Sequence, residues 1–331
     1  MNRRSTGLTI SKAIPGFINY KSAEGLSPNT IYSYERDLNL WLTYQEDIDI
    51  NKVTSRDIRD YLNYLRIEYK PRRITGNNDK KLSPKTIRNV WVTLASFFKW
   101  ASIEFEITNP IKQVPAPKIT IALVESFSKE DIEILLKASD YCEEAQTIDR
   151  RKFRMRRPTA KRDRAIILTL LDTGLRASEL CSLTVEYVDL KSGKVIVKQG
   201  AGGGAKGGKG RIVYLGKVAR RTVWRYLAER EDGDDPKSPL FTTKSNRPLN
   251  KNALLQIINA LGKKAGVNKC HPHRFRHTFA ITYLRAGGDV FTLQMLLGHS
   301  SLDMVKRYVR IADIDLERAH RIASPADNWR L

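Results

Sequence analysis

The first hundred residues contain one helix-opening motif twice, and this repeat limits the fold more than any other feature of the chain. Leu26-Ser27-Pro28-Asn29-Thr30-Ile31 returns 56 residues later as Leu82-Ser83-Pro84-Lys85-Thr86-Ile87. Serine is a preferred N-cap, and proline is tolerated at the first helical position because that amide has no partner inside the helix. Apolar residues then recur at i, i+3, i+7, i+10 and i+11, counted from Ile31 and from Ile87. This spacing covers one helix face and predicts two amphipathic helices.

A third helix is predicted between the two copies, because Thr54 and Asp57 form a helix start and Pro71 ends the segment just after Tyr69. Two copies of a motif do not make a solenoid, which needs about three repeats or more. We therefore predict a small helical domain over residues 11–107. The prolines that follow it predict a linker over residues 108–126.

The remaining residues, 127–331, are predicted to form a second domain that is mostly helical. An apolar helix over residues 163–171 is followed by two β-branched strands, 194–198 and 211–215. The segment between the strands, 200–210, has seven glycines and predicts an elongated hairpin tip. The fold class is therefore mainly α with a small β-hairpin (α+β).

Composition limits the function. With 58 Lys+Arg against 36 Asp+Glu, the formal charge is +22, which favours a polyanionic partner such as nucleic acid. The alternative is positive charge that serves solubility alone. The longest apolar run is far too short to span a bilayer, and the N-terminus has no signal-like apolar run, which excludes membrane and secreted classes. Three widely spaced cysteines predict neither a disulfide framework nor a zinc site, as expected in the cytoplasm.

The chemistry is predicted to lie near the C-terminus, where four of the five histidines fall between positions 271 and 299. His273 and Arg276 are three residues apart, hence on one face of a helix. His299 follows Gly298, a predicted helix end, and Tyr308 comes nine residues later inside a helix that Ser300 or Ser301 opens. His271 and His277, which flank these residues, are interpreted as structural or solvent-facing.

These residue types suit attack on a phosphodiester by a tyrosine hydroxyl. A tyrosine with a pKa of about 10 needs a base at pH 7, and histidine is the natural candidate. Arginine matches the phosphate oxygens with paired hydrogen bonds. The departing 5′ oxygen needs a proton, which a lysine can supply. No metal and no cofactor are implied.

Four stretches in this order resemble the tyrosine recombinase, or phage integrase, family over nearly the whole chain. They are Thr173-Gly174-Leu175-Arg176-Ala177-Ser178-Glu179-Leu180, His273-Arg274-Phe275-Arg276-His277, Leu297-Gly298-His299-Ser300 and Tyr308. The resemblance implies that Arg176 and Arg276 clamp the phosphate and that His273 is the acid/base. It implies that His299 donates to the phosphate and that Tyr308 is the nucleophile. Glu179 corresponds to the family's supporting acidic residue.

The resemblance also places a catalytic lysine at the hairpin tip, and Lys206 fits best, with Lys198 and Lys209 as alternatives. The basic run over residues 150–157 is predicted either to contact phosphates or to be a solvated loop.

The helical domain resembles the family's core-binding domain, which closes over DNA opposite the catalytic domain. Four residues in its first helical turns are DNA-contact candidates, with plain capping and solvation as the alternative: Thr30, Lys85, Thr86 and Arg88. Residues 311–323 are predicted to form a C-terminal helix of the kind that relatives donate to a neighbouring subunit.

The function implied is site-specific recombination of double-stranded DNA by a homotetramer on two sites, through a 3′-phosphotyrosyl intermediate and without ATP. Accessory DNA-bending proteins are compatible with this function. The alternatives are a type IB topoisomerase and a DNA-binding protein without catalysis. The sequence leaves open the target site, and whether the role is in a mobile element or in chromosome-dimer resolution. The basic run and the long hairpin favour a mobile element.

Overall fold

A computed structural model of the chain describes residues 7–72, 79–119, 125–142, 155–198, 200, 210–299, 301–312, 320 and 324–329. The chain divides into two compact units, Met1–Ala122 and Leu123–Leu331. The helices of the first unit are α1 (Ile10–Ala23), α2 (Pro28–Tyr44), α3 (Ser55–Ile67) and α4 (Pro84–Glu104). The described elements of the second unit are α5 (Lys129–Asp140), α6 (Ala160–Thr173), α7 (Ala177–Cys181), β1 (Lys194–Val197), β2 (Arg211–Tyr214), α8 (Lys217–Leu227), α9 (Lys251–Ala265), α10 (Pro272–Arg285), α11 (Val290–Leu297), α12 (Asp303–Ala312) and α13 (Pro325–Trp329).

The repeated motif opens α2 and α4 as predicted. The hydroxyl of Ser27 accepts a hydrogen bond from the amide of Thr30, and Ser83 accepts one from Thr86. Proline occupies the first turn of both helices. Thr54 and the third residue of α3 cap each other reciprocally, which confirms the predicted start of the third helix.

The core of the first unit is aromatic. Phe17, Trp41, Phe97 and Phe98 are fully buried and contact one another through their rings. Burial of each such side chain stabilises the unit by about 1.5–3 kcal/mol. Part of the stretch predicted as linker, Pro110–Gln113, forms a 3-10 turn that packs on this core.

In the second unit, α6 ends at Thr173, two residues beyond the predicted end at residue 171, and the glycine that caps it has a restrictive geometry. Gly174 has a φ of 62°, and a Cβ at this position would lie 2.5 Å from the ring of Phe279. Only glycine combines this backbone with this close approach. The turn leads directly into α7, whose N-cap is Arg176.

The predicted strands form an antiparallel pair in which Lys194 faces Tyr214 and Val197 faces Arg211. Val195, Val197 and Val213 point into the core. The predicted fold class, mainly α with a small hairpin, is confirmed. Residues 201–209 of the tip lie outside the described residues.

The last helices carry the predicted chemistry. Imidazole Nδ1 of His271 accepts from the amide of Arg274 and so caps α10, which makes this histidine structural, as interpreted. Gly298, with a φ of 63°, ends α11 as predicted. Of the predicted C-terminal helix over residues 311–323, only 311, 312 and 320 are described, and of the basic run over 150–157 only 155–157 are. Within the described part of the chain, no helix is long and apolar enough to cross a membrane.

Candidate active site

Arg276 lies at the centre of a cluster of charged side chains in the second unit. It is on α10 and is buried, with 1% of its surface exposed. Its terminal nitrogens donate hydrogen bonds to the carbonyl oxygens of Gly174, at 2.9 Å, and Leu297, at 2.6 Å. One of them also lies 2.8 Å from Nε2 of His299. A guanidinium has no acceptor, so Nε2 of His299 accepts this bond.

His299 is a neutral imidazole at pH 7. Burial, and then the positive charges of Arg276 and Arg176, lower the pKa of His299 to about 3. Because Nε2 is the acceptor, the single ring proton is on Nδ1. Nδ1 of His299 and Nε of Arg276 are both buried and have no hydrogen-bond partner among the described residues. Two buried N–H donors are thus unused inside this cluster, and donors of this kind call for an acceptor.

Arg176 is held by the predicted supporting residue, Glu179. The carboxylate accepts from the backbone amide of Arg176 at 2.8 Å and from its guanidinium at 2.9 Å. The other terminal nitrogen of Arg176 donates to the carbonyl of Gly298 at 3.3 Å. The side chain of Arg176 stays 40% exposed, so part of its guanidinium faces solvent.

A third arginine of the cluster, Arg211, also binds the carboxylate of Glu179, and the sequence analysis did not predict it as a site residue. Arg211, the first residue of β2, donates two hydrogen bonds of 2.8 Å to Glu179 and one of 2.6 Å to the carbonyl of Leu296. Burial by itself would raise the pKa of Glu179, but the hydrogen bonds and charge of Arg211, with those of Arg176, lower it to about 2. The cluster thus contains three guanidinium groups, of Arg176, Arg211 and Arg276, and one carboxylate, which leaves an excess of positive charge.

Replacing Arg211 with methionine is expected to destabilise the protein by about 3 kcal/mol, because a buried carboxylate loses its main partner. The lowered pKa of Glu179 has the matching sign, because the hydrogen bonds and charge of Arg211 lower it more than those of Arg176 do. This stabilisation is present above the ordinary carboxyl pKa and is lost as the pH falls toward 2.

Urea unfolding at pH 7 and pH 4 measures this effect in Arg211→Met. Arg225→Met is the matched control, because Arg225 is exposed on α8 and its loss should change the unfolding free energy by less than about 0.5 kcal/mol. Equal stability of the two variants at pH 7 would contradict the assignment of Arg211 as the main partner of Glu179.

Tyr308, on α12, is buried in the same region, with 4% of its surface exposed. Its ring stacks nearly parallel to that of His299, with centroids 6.4 Å apart. Burial raises the pKa of Tyr308, although the charges of Arg276, Arg307 and Arg176 oppose that rise. The hydroxyl is therefore protonated at pH 7 and needs a proton acceptor before it can act as a nucleophile.

An acceptor is present, and it is a residue that the sequence analysis interpreted differently. Nδ1 of His277 lies 2.9 Å from the hydroxyl oxygen of Tyr308. His277 is half-buried, and burial, then the neighbouring His273, lower its pKa to about 4. The sequence analysis interpreted His277 as structural or solvent-facing and did not predict this direct contact with Tyr308.

The other histidine of this motif, His273, is exposed and lies edge-on to the ring of His277, with centroids 4.4 Å apart. The structure thus brings together five of the predicted site residues, with His273 one contact further out: Arg176, Glu179, Arg276, His299 and Tyr308. The predicted lysine, Lys206, and the alternative Lys209 lie outside the described residues. Lys198, the other alternative, is exposed, and its Nζ lies 4.1 Å from the centroid of the Tyr187 ring.

Two signals in the sequence point to the missed residues. Arg211 directly follows the glycine-rich tip, and His277 lies one helical turn after His273. Neither signal predicts which residue Arg211 or His277 contacts. Arg211 and Glu179 are 32 residues apart, and His277 and Tyr308 are 31 residues apart. Among the described residues, no three His, Cys, Asp or Glu side chains cluster in a way that could hold a metal ion.

The four DNA-contact candidates lie in the first unit. The hydroxyls of Thr30 and Thr86 hydrogen-bond to their N-cap serines, to which their amides also donate. Lys85 is exposed, and Arg88 donates to the carbonyl of Pro117 at 3.1 Å. Their contact with DNA stays a prediction.

The comparisons with known proteins agree with this geometry. Residues 125–314 match the phage integrase family, and residues 14–73 match the N-terminal SAM-like domain of phage integrases. The chain belongs to the phage integrase family, and it is an enzyme of the tyrosine recombinase class, which cleaves and rejoins DNA strands.

Its relatives include the tyrosine recombinase XerC of Staphylococcus saprophyticus, which is 30% identical over 311 residues, 92% of this chain and 94% of that protein. XerC of Leptospira interrogans is 31% identical over 325 residues, 96% of this chain and 94% of that protein. A solved structure of the Tn1549 transposon integrase in complex with a circular intermediate DNA has the same fold, with a TM-score of 0.70 and 21% identity. It covers 91% of this chain and 95% of the integrase chain.

Proposed function

We propose that this protein is a site-specific DNA recombinase that cleaves one strand at each site through a 3′-phosphotyrosyl intermediate and then rejoins it to a partner strand. One observation carries the proposal: a buried tyrosine and two unused N–H donors lie in one cluster with an excess of arginine charge. A phosphodiester suits this site because its anionic oxygens can bind the arginines and the N–H donors, and its phosphorus can be attacked by the tyrosine.

In this mechanism Arg176 and Arg276 bind the non-bridging oxygens of the scissile phosphate, and Nδ1–H of His299 donates to one of them. Three carbonyl oxygens and a carboxylate fix the two arginines before substrate arrives. Such preorganised donors stabilise the charge that develops on the phosphate oxygens in the transition state. Glu179 supports Arg176 and does not touch the DNA.

Tyr308 attacks phosphorus, its O–P bond forms as the P–O5′ bond breaks, and a 3′-phosphotyrosine and a free 5′-OH result. The bond energy is conserved in the adduct, so rejoining needs no ATP, and the mechanism as proposed uses neither a metal nor a cofactor. We assign the proton for the 5′ oxygen to Lys206. His273 occupies the family's acid/base position.

The chain as a whole is proposed to act on double-stranded DNA as a homotetramer that joins two sites, with accessory DNA-bending proteins as compatible partners. Residues 11–107 would form the core-binding part of a DNA clamp, residues 108–126 its linker and residues 127–331 the catalytic domain. The net charge of +22 supports a polyanionic substrate. A cytoplasmic location follows from action on cellular DNA.

The biological role has two candidates. Full-length similarity to XerC proteins favours chromosome-dimer resolution, while the long glycine-rich tip favours the integrase or transposase of a mobile element. The tip is a property of this chain itself, and we retain the mobile-element role as the first candidate. Sequencing the DNA that flanks the gene would separate the two.

The proposal predicts a covalent protein–DNA adduct on a nicked suicide duplex that carries the cognate site. The site is first obtained by selecting bound duplexes from a random pool. After cleavage the short strand beyond the nick diffuses away, so the adduct accumulates, survives denaturation and yields a nucleotide-modified peptide that contains Tyr308. Absence of an adduct on a tightly bound site would favour a DNA-binding protein without catalysis.

The same DNA separates recombination from relaxation. A tetrameric recombinase pairs two site-bearing duplexes and exchanges their strands, whereas a type IB topoisomerase acts as a single molecule and only relaxes supercoils. Strand exchange between two labelled duplexes supports the proposal. Site-independent relaxation without exchange would support the topoisomerase instead.

A further inference from the structure

The mechanism proposed above gives no role to His277, although this residue contacts the hydroxyl of Tyr308. The hydroxyl oxygen and Nδ1 are 2.9 Å apart, which is within the range of a direct proton transfer. His273, at the family's acid/base position, is exposed and lies against the ring of His277. The three side chains therefore form a row from buried Tyr308, through half-buried His277, to exposed His273.

We propose that His277 is the general base that takes the proton of Tyr308 during cleavage and returns it during rejoining. The inference rests on the proposed function, because it concerns the same attack on phosphorus. As the Tyr308 O–P bond forms, the O–H proton moves to Nδ1 of His277 and the 5′ oxygen leaves with a proton from Lys206.

The protonation states fit this direction of transfer. Burial raises the pKa of Tyr308, so the hydroxyl keeps its proton and is the donor in the resting contact. Burial, then His273, His271 and Arg276, lower the pKa of His277 to about 4, so its ring is neutral at pH 7 and its Nδ1 can accept.

Transfer is concerted with attack. A neutral imidazole cannot fully ionise a buried tyrosine in the ground state, because the pKa difference between the two groups is too large. The tyrosine oxygen becomes much more acidic as it bonds to phosphorus, and the proton then moves. A phosphate anion between the arginines also offsets the charge of Arg276, one of the groups that lower the pKa of His277.

The test is single-turnover cleavage of the suicide duplex by His277→Asn. The oxygen of the asparagine amide takes the place of Nδ1 and can hold the tyrosine hydroxyl, but it cannot accept a proton. We expect cleavage to slow by roughly 10²–10⁴-fold, the usual contribution of a general base. His271→Asn is the matched control, since it removes an imidazole from the start of the same helix and keeps the N-cap acceptor.

Two chemical substitutions separate proton transfer from positioning. Difluorotyrosine at position 308 ionises near neutral pH, so the penalty of His277→Asn should largely disappear in that background. A 5′-bridging phosphorothiolate leaves without a proton, so it should rescue a Lys206→Ala variant and leave His277→Asn slow. His277→Gln is a second substitution at this position. Thermal unfolding of every variant shows whether the helix is intact.

The outcomes are distinct. If the wild-type protein forms no adduct, the proposed function fails. If it does and His277→Asn cleaves at the wild-type rate, the inference fails. It fails also if the penalty is equal with tyrosine and difluorotyrosine, because a residue that only positions the ring would act equally on both.

Discussion

Tyr308→Phe is expected to abolish the covalent adduct completely while the protein still folds and binds DNA. The substitution removes only the hydroxyl, and the ring stays in the small core that α10, α11 and α12 form around Leu293 and Leu297. The loss of one half-buried hydrogen bond, to His277, costs about 1 kcal/mol. No other atom at this position can attack phosphorus, so chemistry is lost and structure is retained.

A denaturing gel measures the adduct, and a gel shift at matched salt measures the affinity for DNA. Tyr283→Phe is the matched control, because Tyr283 is a half-buried tyrosine of α10 whose ring packs against Gly288. It should form the adduct at the wild-type rate. An adduct in Tyr308→Phe, or its loss in Tyr283→Phe, would show that the nucleophile has been misassigned.

The second large effect is expected for Arg276→Met. Removing an arginine that stabilises a phosphoryl transition state slows the reaction by roughly 10³–10⁵-fold. Stability should change far less, because two effects oppose each other. Burial, then the charge of Arg176, lower the pKa of Arg276 to about 9, which means that the fold disfavours this charge. Its removal relieves that cost but takes one donor from each of the carbonyls of Gly174 and Leu297.

The opposite result is expected for Arg274→Met, two residues earlier on the same helix: stability falls and the cleavage rate is kept. Arg274 donates to the carbonyls of Asn268 and Ser126 and lies 4.0 Å from the ring centroid of Phe127. Its loss should lower the unfolding temperature and leave the cleavage rate of the folded protein unchanged. Cleavage rate and unfolding temperature, measured on both variants, check the pair. Parallel losses in both variants would mean that Arg276 is structural.

Local signals carried most of the fold prediction. Ser27 and Ser83 with their prolines, the capping pair at Thr54, and the glycines at 174 and 298 act within one helical turn, so their effect can be predicted from neighbours in sequence. The strands were equally local, since β-branched runs flank the glycine tract.

The site was predicted less evenly, because its contacts are long-range. Arg276, His299 and Tyr308 followed from their residue types and spacing. The pairing of Arg211 with Glu179 and of His277 with Tyr308 depends on how separate elements pack, which no local pattern encodes. Exposure was equally unpredictable: His273 and Arg276 share a helix, yet one is exposed and the other is buried.

The anchoring of Arg276 has a consequence for how this enzyme can change in evolution. Its two strongest holds, the oxygens of Gly174 and Leu297, belong to the main chain at the negative ends of α6 and α11. Every amino acid carries such an oxygen, so no replacement of Leu297 removes its acceptor, whereas Gly174 must stay glycine to keep its carbonyl in place. The binding of Arg276 therefore depends on the path of the main chain, and mutations can remove it only by changing that path.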